Sequence, residues 1–350
     1  MTRISLNLAL VAIVLTTLPA RSVLGDTFEQ VASRPSQTGA HCVRFFPDSS
    51  KFAILDNGRV RICESESGGQ LAEIRTGKID MGTMWISDDG ERLVTATYSG
   101  SLVDINLWDV KNGKPISAVQ LEKNYLPDAI APISDQKYVV LSGSTEKKEK
   151  YSVYHAEATL VDLRANKVLG IFQTESPPCS IAVSADKKKV VIGEEDGSVS
   201  IWDAASMHRE HRFGSGGRQH VVRVFLSKDS KTLITEVGYK ELTLRNMSDF
   251  SRVGTLRVNK EVITAVAMSA DGKRLAACAS DFAVGVPQAD GSITASTKES
   301  YLTLWDLDTQ KEIASARAHE GAVEFIDFSR DGKMIVTSGD DKLTKIWRIK

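Results

Sequence analysis

Three residues near the end of the 350-residue chain, His319, Thr337 and Asp341, supply a base, a hydroxyl and a carboxylate. An acyl-transfer triad is assembled from such a set. His208 and His211 form a closely spaced histidine pair in the stretch HREH. Read as a strand, residues three apart point to opposite faces, and no cysteine or carboxylate cluster of ligand spacing accompanies them, so no metal site is expected. The four cysteines, Cys42, Cys63, Cys179 and Cys278, are too few and too scattered for a disulfide framework. No Gly-rich phosphate loop, nucleophile elbow or paired-carboxylate motif stands out, and no cofactor is expected.

The elements that position these groups are legible in the chain's self-similarity. The stretch FSRDGKMIVTSGDDKLTKIWR, residues 328–348, repeats the pattern of MSADGKRLAA followed by LTLWDLDTQKEI: Ser-x-Asp-Gly-Lys, strand, turn, strand, Trp-Asp. Weaker copies run as WISDDGERLVTA with INLWDVKNGKPI, as AVSADKKKVVIGEEDGSVSIWDAAS, and as FLSKDSKTLITE with LTLRNMSDFSRV. Two degraded copies begin FFPDSSKFAILDNG and PISDQKYVVLSG. Opening turns at Asp48, Asp89, Asp135, Asp186, Asp229, Asp271 and Asp331 mark seven units. Each unit holds short β-rich stretches such as MIVTSG and SVSIW bounded by Asp-Gly, Asn-Gly or Ser-Gly, the pattern of strands joined by tight hairpins.

This organisation resembles the WD-repeat family over nearly the whole chain. The resemblance implies an all-β, seven-bladed β-propeller with four antiparallel strands per blade, in a single domain spanning 26–350. Packing arguments agree. Both faces of a blade meet neighbours, so its strands need not alternate cleanly, and a closed ring leaves only short, protected edges. The seventh copy ends at Lys350 with its third strand, while residues 27–33, TFEQVAS, resemble KEIASAR, the outer strand of the sixth copy. The N-terminal strand is therefore expected to close the last blade. The family also implies a different role for the triad-like set: His319, Thr337, Asp341 and Trp347 would form a structural hydrogen-bond network, with no catalytic residue among them. Copies one, three and five carry Cys63, Val161 and Arg245 in the Trp position and should be less tightly pinned. Cys42 and Cys63 fall two ladder spacings apart, about 9.6 Å, too far for a disulfide. Cys179 and Cys278 fall in different blades, so four reduced thiols are expected.

The chain opens with the apolar run LNLALVAIVLTTL behind Arg3, which matches a secretory signal. The run is shorter than the roughly 20 residues a membrane-spanning helix needs. Val23 and Gly25 supply the small residues for cleavage, so 1–25 is read as a signal peptide, with Ala20 a weaker site. The expectation is an exported, periplasmic or extracellular protein, a bacterial-type member of the family, with no membrane span after signal removal. A formal net charge of −1, from 44 basic and 45 acidic residues, argues against nucleic acid as a partner.

Two units are longer than the rest between their second and third strands, at 145–157 and 281–299. In the family these connections open on the top face, where partners bind. Tyr151, Tyr154 and His155 from one, with Phe282, Val284 and Pro287 from the other, are the candidate partner-binding residues. The function expected is a non-catalytic scaffold for protein partners. The alternative is a small-molecule or glycan-binding propeller, even an enzyme, with its site at the top-face channel mouth.

Overall fold

The computed structural model describes residues 27–36, 42–77, 81–99, 102–122, 129–147, 152–214, 221–227, 229–238, 240–260, 262–282, 286–287, 293–294 and 297–350. The segment read as a signal peptide lies outside the described residues, as do His41, Tyr151, Val284 and His220. Every regular element within them is a β-strand. They build seven four-stranded antiparallel sheets and one two-stranded ribbon. The sheets are the blades of a seven-bladed β-propeller, at 42–75, 81–121, 130–172, 178–214, 221–257, 262–319 and 323–349, the last completed by Phe28–Pro35.

The recurring Ser-x-Asp turn joins the first strand of a blade to its second for a reason that its hydrogen bonds make plain. In five blades the Ser hydroxyl donates to the Asp carboxylate, as Ser269 does to Asp271 at 2.6 Å. The Asp accepts the N–H two residues on, and the Ser oxygen accepts the N–H of the residue that opens the second strand, Arg274 in this blade. The residue after the Asp sits in the left-handed region, at φ 72° for Gly272 and 70° for Gly332. Glycine adopts that conformation without the Cβ clash that Lys187 (φ 62°) and Ser230 (φ 56°) bear in the same place.

Apolar side chains gather in seven clusters among the described residues, one at each blade-to-blade contact. Alternate residues of one strand serve opposite neighbours. Val103, Ile105 and Leu107 pack toward blade three, and Trp108 packs toward blade one. Burial on both faces is why the strands show no clean polar and apolar alternation.

The ring closes where the last blade borrows its outer strand. Phe28–Pro35 runs antiparallel to Leu343–Ile349, from Phe28 opposite Ile349 to Pro35 opposite Leu343. Thr27 and Lys350 exchange backbone hydrogen bonds of 3.0 and 2.9 Å, and the Phe28 ring meets the edge of Trp347 at 6.4 Å. Each outer strand also carries a β-bulge beside the Trp position, leaving Val31, Leu71, Ile116, Leu169, Glu210, Val253 and Ile313 without a ladder partner. A bulge bends an exposed edge away from the flat geometry that invites pairing with another chain.

Antiparallel order fixes two faces. Turns joining first to second and third to fourth strands share one, the bottom. Second-to-third hairpins share the other, the top, with the crossings between blades. The first strands pack side by side around a central channel.

Candidate functional site

His319, Thr337, Asp341 and Trp347 are joined in one chain of hydrogen bonds. His319 Nδ1 lies 2.8 Å from Asp341 Oδ1, His319 Nε2 lies 2.7 Å from Thr337 Oγ1, and the Trp347 indole N–H donates to the same oxygen at 2.9 Å. Backbone N–H groups of Leu343 and Glu320 hold Asp341 in place. Burial keeps the His319 pKa below the usual histidine value despite the nearby carboxylate. Burial acts to raise Asp341, but the hydrogen bond and charge of His319 together with the Leu343 and Glu320 N–H groups outweigh it, and the Asp341 pKa is lowered. Thr337 is fully buried and its oxygen is engaged twice inside the blade, so it offers no nucleophile to a substrate. The constellation ties the outer strand of blade six to the hairpin of blade seven.

Other blades carry parts of it. Trp108 donates to Thr95 across the sheet at 2.9 Å, as in blade seven. In blade four Ile192 takes the place of that Thr, and Trp202 turns to Ser200 of its own strand at 2.9 Å. Cys63, Val161 and Arg245 stand opposite Phe52, Tyr138 and Leu233, in register with the tryptophans of other blades.

The described residues of the long top connections are all strand, so the added length extends the hairpins. In blade three, Lys137–Lys147 and Ser152–Asp162 stay paired out to Lys147 opposite Ser152. Each has 11 residues against 6 for the matching strands of blade four, an extension of about 17 Å. The backbone hydrogen bonds of this ladder favour pairing over an irregular loop. In blade six, Arg274–Phe282 and Thr297–Asp306 are similarly long, and Val286–Pro287 pairs with Ile293–Thr294 between them. Of the candidate partner-binding residues, Tyr154 stands opposite Thr145, exposed His155 opposite Ser144, Phe282 opposite Thr297, and Pro287 opposite Ile293.

The histidine pair is differently placed than a single strand would put it. His208 precedes the outer strand Arg209–Gly214, and the His211 ring rests 5.2 Å from that of Phe250. Among the described residues no group of three or more His, Cys, Asp or Glu could hold a metal ion. The four cysteines are free thiols, with Cys42, Cys63 and Cys278 buried and Cys179 half-buried on the channel wall. Burial pushes the Cys179 thiol up to about 12.

Sequence reading missed the charged pairs on and behind the channel wall. Arg44 of blade one reaches Asp327 of blade seven at 3.5 Å, and Asp327 also accepts the Phe45 N–H at 2.8 Å. Arg223 donates to fully buried Glu236 at 2.7 Å and to the Thr264 carbonyl of blade six. Arg212 holds fully buried Glu194 at 3.3 Å. Burial raises the pKa of Asp327 and of Glu236 against the pull of their arginines. Partners 283 positions apart, as Arg44 and Asp327 are, leave no local motif to find. The channel encloses a cavity of about 580 Å³, and a second of about 350 Å³ opens at its bottom mouth.

Comparison with known proteins agrees with this geometry. The sequence profile of the WD domain, G-beta repeat, matches residues 166–203 and 310–348, the segments that bear Trp202 and Trp347. The chain is 21% identical over 343 residues to WD repeat-containing protein 1 of Xenopus tropicalis, covering 88% of this chain and 54% of that protein. It is 25% identical over 168 residues to Autophagy-related protein 16 of Arabidopsis thaliana, covering 48% of this chain and 29% of the relative. Eukaryotic translation initiation factor 3 subunit I of Drosophila pseudoobscura pseudoobscura is 23% identical over 281 residues, with 78% and 83% covered. The chain thus spans about half the length of the first of these relatives and under a third of the second.

Proposed function

We propose that this propeller is a non-catalytic scaffold that holds protein partners on its top face, and that it works outside the cytoplasm once residues 1–25 are removed. The observation that carries the scaffold reading is the pair of extended hairpins in blades three and six. They stand three steps apart around seven blades, about 154°, on opposite sides of the channel mouth. Paired strands are a stiff way to project side chains, which lowers the ordering cost of binding. The names of the similar proteins, a subunit of a translation factor among them, are in keeping with an interaction role. The exported location rests on the apolar leader alone, and the bacterial-type assignment on that leader too, since the relatives named above come from eukaryotes.

An enzyme or glycan site at the top mouth would need perturbed carboxylates open to the channel there. Asp327 instead sits at the bottom end of its strand, and Glu236 is fully buried against Arg223, so the scaffold reading is favoured. The test replaces 144–155, and separately 282–297, with Asn-Gly, a pair that turns a two-residue hairpin. Partners are captured with the parent protein from the extracytoplasmic fraction, and their affinity for both variants is measured after thermal melts show that the ring has folded. At least tenfold weaker binding by one variant is the expected result. Parent-like binding by both would overturn the reading, and an unprocessed Met1 terminus on the working protein would overturn the location.

A further inference from the structure

We propose that the bottom mouth of the channel binds a monocarboxylate carried on an apolar or aromatic body, with Arg44 taking the carboxylate and the walls beside Trp85 taking the body. The two cavities meet there and share Arg44, Trp85, Leu226, Met268 and Asp327. A volume of about 350 Å³ lies in the range of about 300–1,000 Å³ that small-molecule sites occupy. Phe45, Phe46, Ile86, Met268 and Phe328 make its walls largely apolar, and the charged groups enter at defined points.

The Arg44 guanidinium is held but underused. Its carbon lies 5.8 Å from the centre of the Trp85 ring, a cation–π contact. Its contact with Asp327 is a single one at 3.5 Å, long for a charge-assisted hydrogen bond. Its Nε is buried without a hydrogen-bond partner among the described residues. Asp327 is not free to turn toward it, because its other oxygen accepts the Phe45 N–H at 2.8 Å and so fastens blade one to blade seven. The side chain of Arg44 is 34% exposed, toward a cavity that both channel sections share. With Nε buried, the terminal nitrogens are the ones a ligand can meet, and that pair matches a planar carboxylate in two parallel hydrogen bonds.

The neighbouring charges limit the ligand to one negative charge. Asp327 and Asp88 line the same mouth, and Arg330 at the rim already faces Asp88 at 3.7 Å. A phosphate dianion would share the mouth with the carboxylates of Asp327 and Asp88. One carboxylate on an apolar body leaves the rest of the ligand to the aromatic wall, where burial is favourable.

The chemistry could arrive as a free acid or as the C-terminal carboxylate of a peptide ending in an apolar residue. Ligand-observed NMR with 3-phenylpropionate, and with 3-phenylpropanamide as its uncharged twin, tests the site directly. The acid should bind at least tenfold more tightly than the amide, and Arg44→Gln should weaken the acid at least tenfold. Because that variant leaves Asp327 without its cation, the paired variant Arg44→Gln/Asp327→Asn is measured too, each after a thermal melt. A peptide ending in Phe assigns the source: displacement of the acid points to a chain terminus, and none points to a free acid. Variants with shortened top hairpins should bind the acid like the parent, which separates this site from the scaffold surface. Equal binding of acid and amide, displacement by inorganic phosphate as readily as by the acid itself, or unchanged affinity in the folded double variant would overturn the proposal.

Discussion

Thr337 is a small side chain whose loss would be felt by two larger ones. Its oxygen accepts from Trp347 and meets His319 Nε2, so Thr337→Val would leave both nitrogens buried and unpaired, at a cost of about 1–3 kcal/mol. His319 gives the same network a pH dependence. Burial lowers its folded-state pKa, whereas the unfolded chain titrates near the ordinary value of about 6.5. Above that pH both states hold a neutral ring. As the pH falls below it the unfolded state takes up the proton first, so stability drops until the folded pKa is reached. Melting midpoints at pH 7.5 and pH 5.0 should therefore differ more for the parent than for His319→Gln. Equal differences would show that His319 does not titrate on unfolding. The turn aspartates Asp89, Asp186, Asp229 and Asp271 add a separate loss at lower pH. Hydrogen bonds lower their folded pKa, and their contribution fades only below the ordinary value of about 3.9.

Among the strands, Phe28–Pro35 does what no other one does, since its partner lies at the far end of the chain. Without it the last blade would expose the ladder edge of Leu343–Ile349 and uncover Trp347. Deleting 27–35 should lower the denaturant midpoint sharply, and Trp347→Ala should cost roughly 3–5 kcal/mol, the usual effect of truncating a large buried aromatic. Urea melts of both proteins check this. A deletion protein with the parent's midpoint would mean that the last blade is closed by other means.

At the scale of the ring, every blade contributes to two apolar clusters, and the chain ends meet inside blade seven, between its third and outer strands. Thr27 and Lys350 are already hydrogen-bonded there. A circular permutant that joins Lys350 to Thr27 through a short Gly-Ser linker, with new ends opened between blades four and five, should fold with a melting temperature within a few degrees of the parent. Circular dichroism and a thermal melt test this. Failure to fold would show that the order of blade synthesis, and not only the set of contacts, is needed.

The sequence by itself determined the seven turns, because each is written in residues within a few positions of one another, and the repeat and the closing strand, because their stretches resemble one another along the chain. Ser269, Asp271 and Gly272 satisfy one turn through their own hydrogen bonds and backbone preference, wherever the blade ends up. The blade-seven network was legible as well, since the family pattern places His319, Thr337, Asp341 and Trp347 within one unit. The extra residues of blades three and six were visible as length but not as strands, because pairing depends on whether two stretches meet in register, as Lys147 and Ser152 do. Only the tertiary structure decided the channel. Arg44, Trp85 and Asp327 each stand four residues before a turn aspartate, Asp48, Asp89 and Asp331, at the same place in the repeat, but they come from three blades and meet because ring closure sets the last first-strand beside the first. Local propensity can specify a strand and its turn, but which side chains face each other across a seven-bladed ring is fixed by packing between blades.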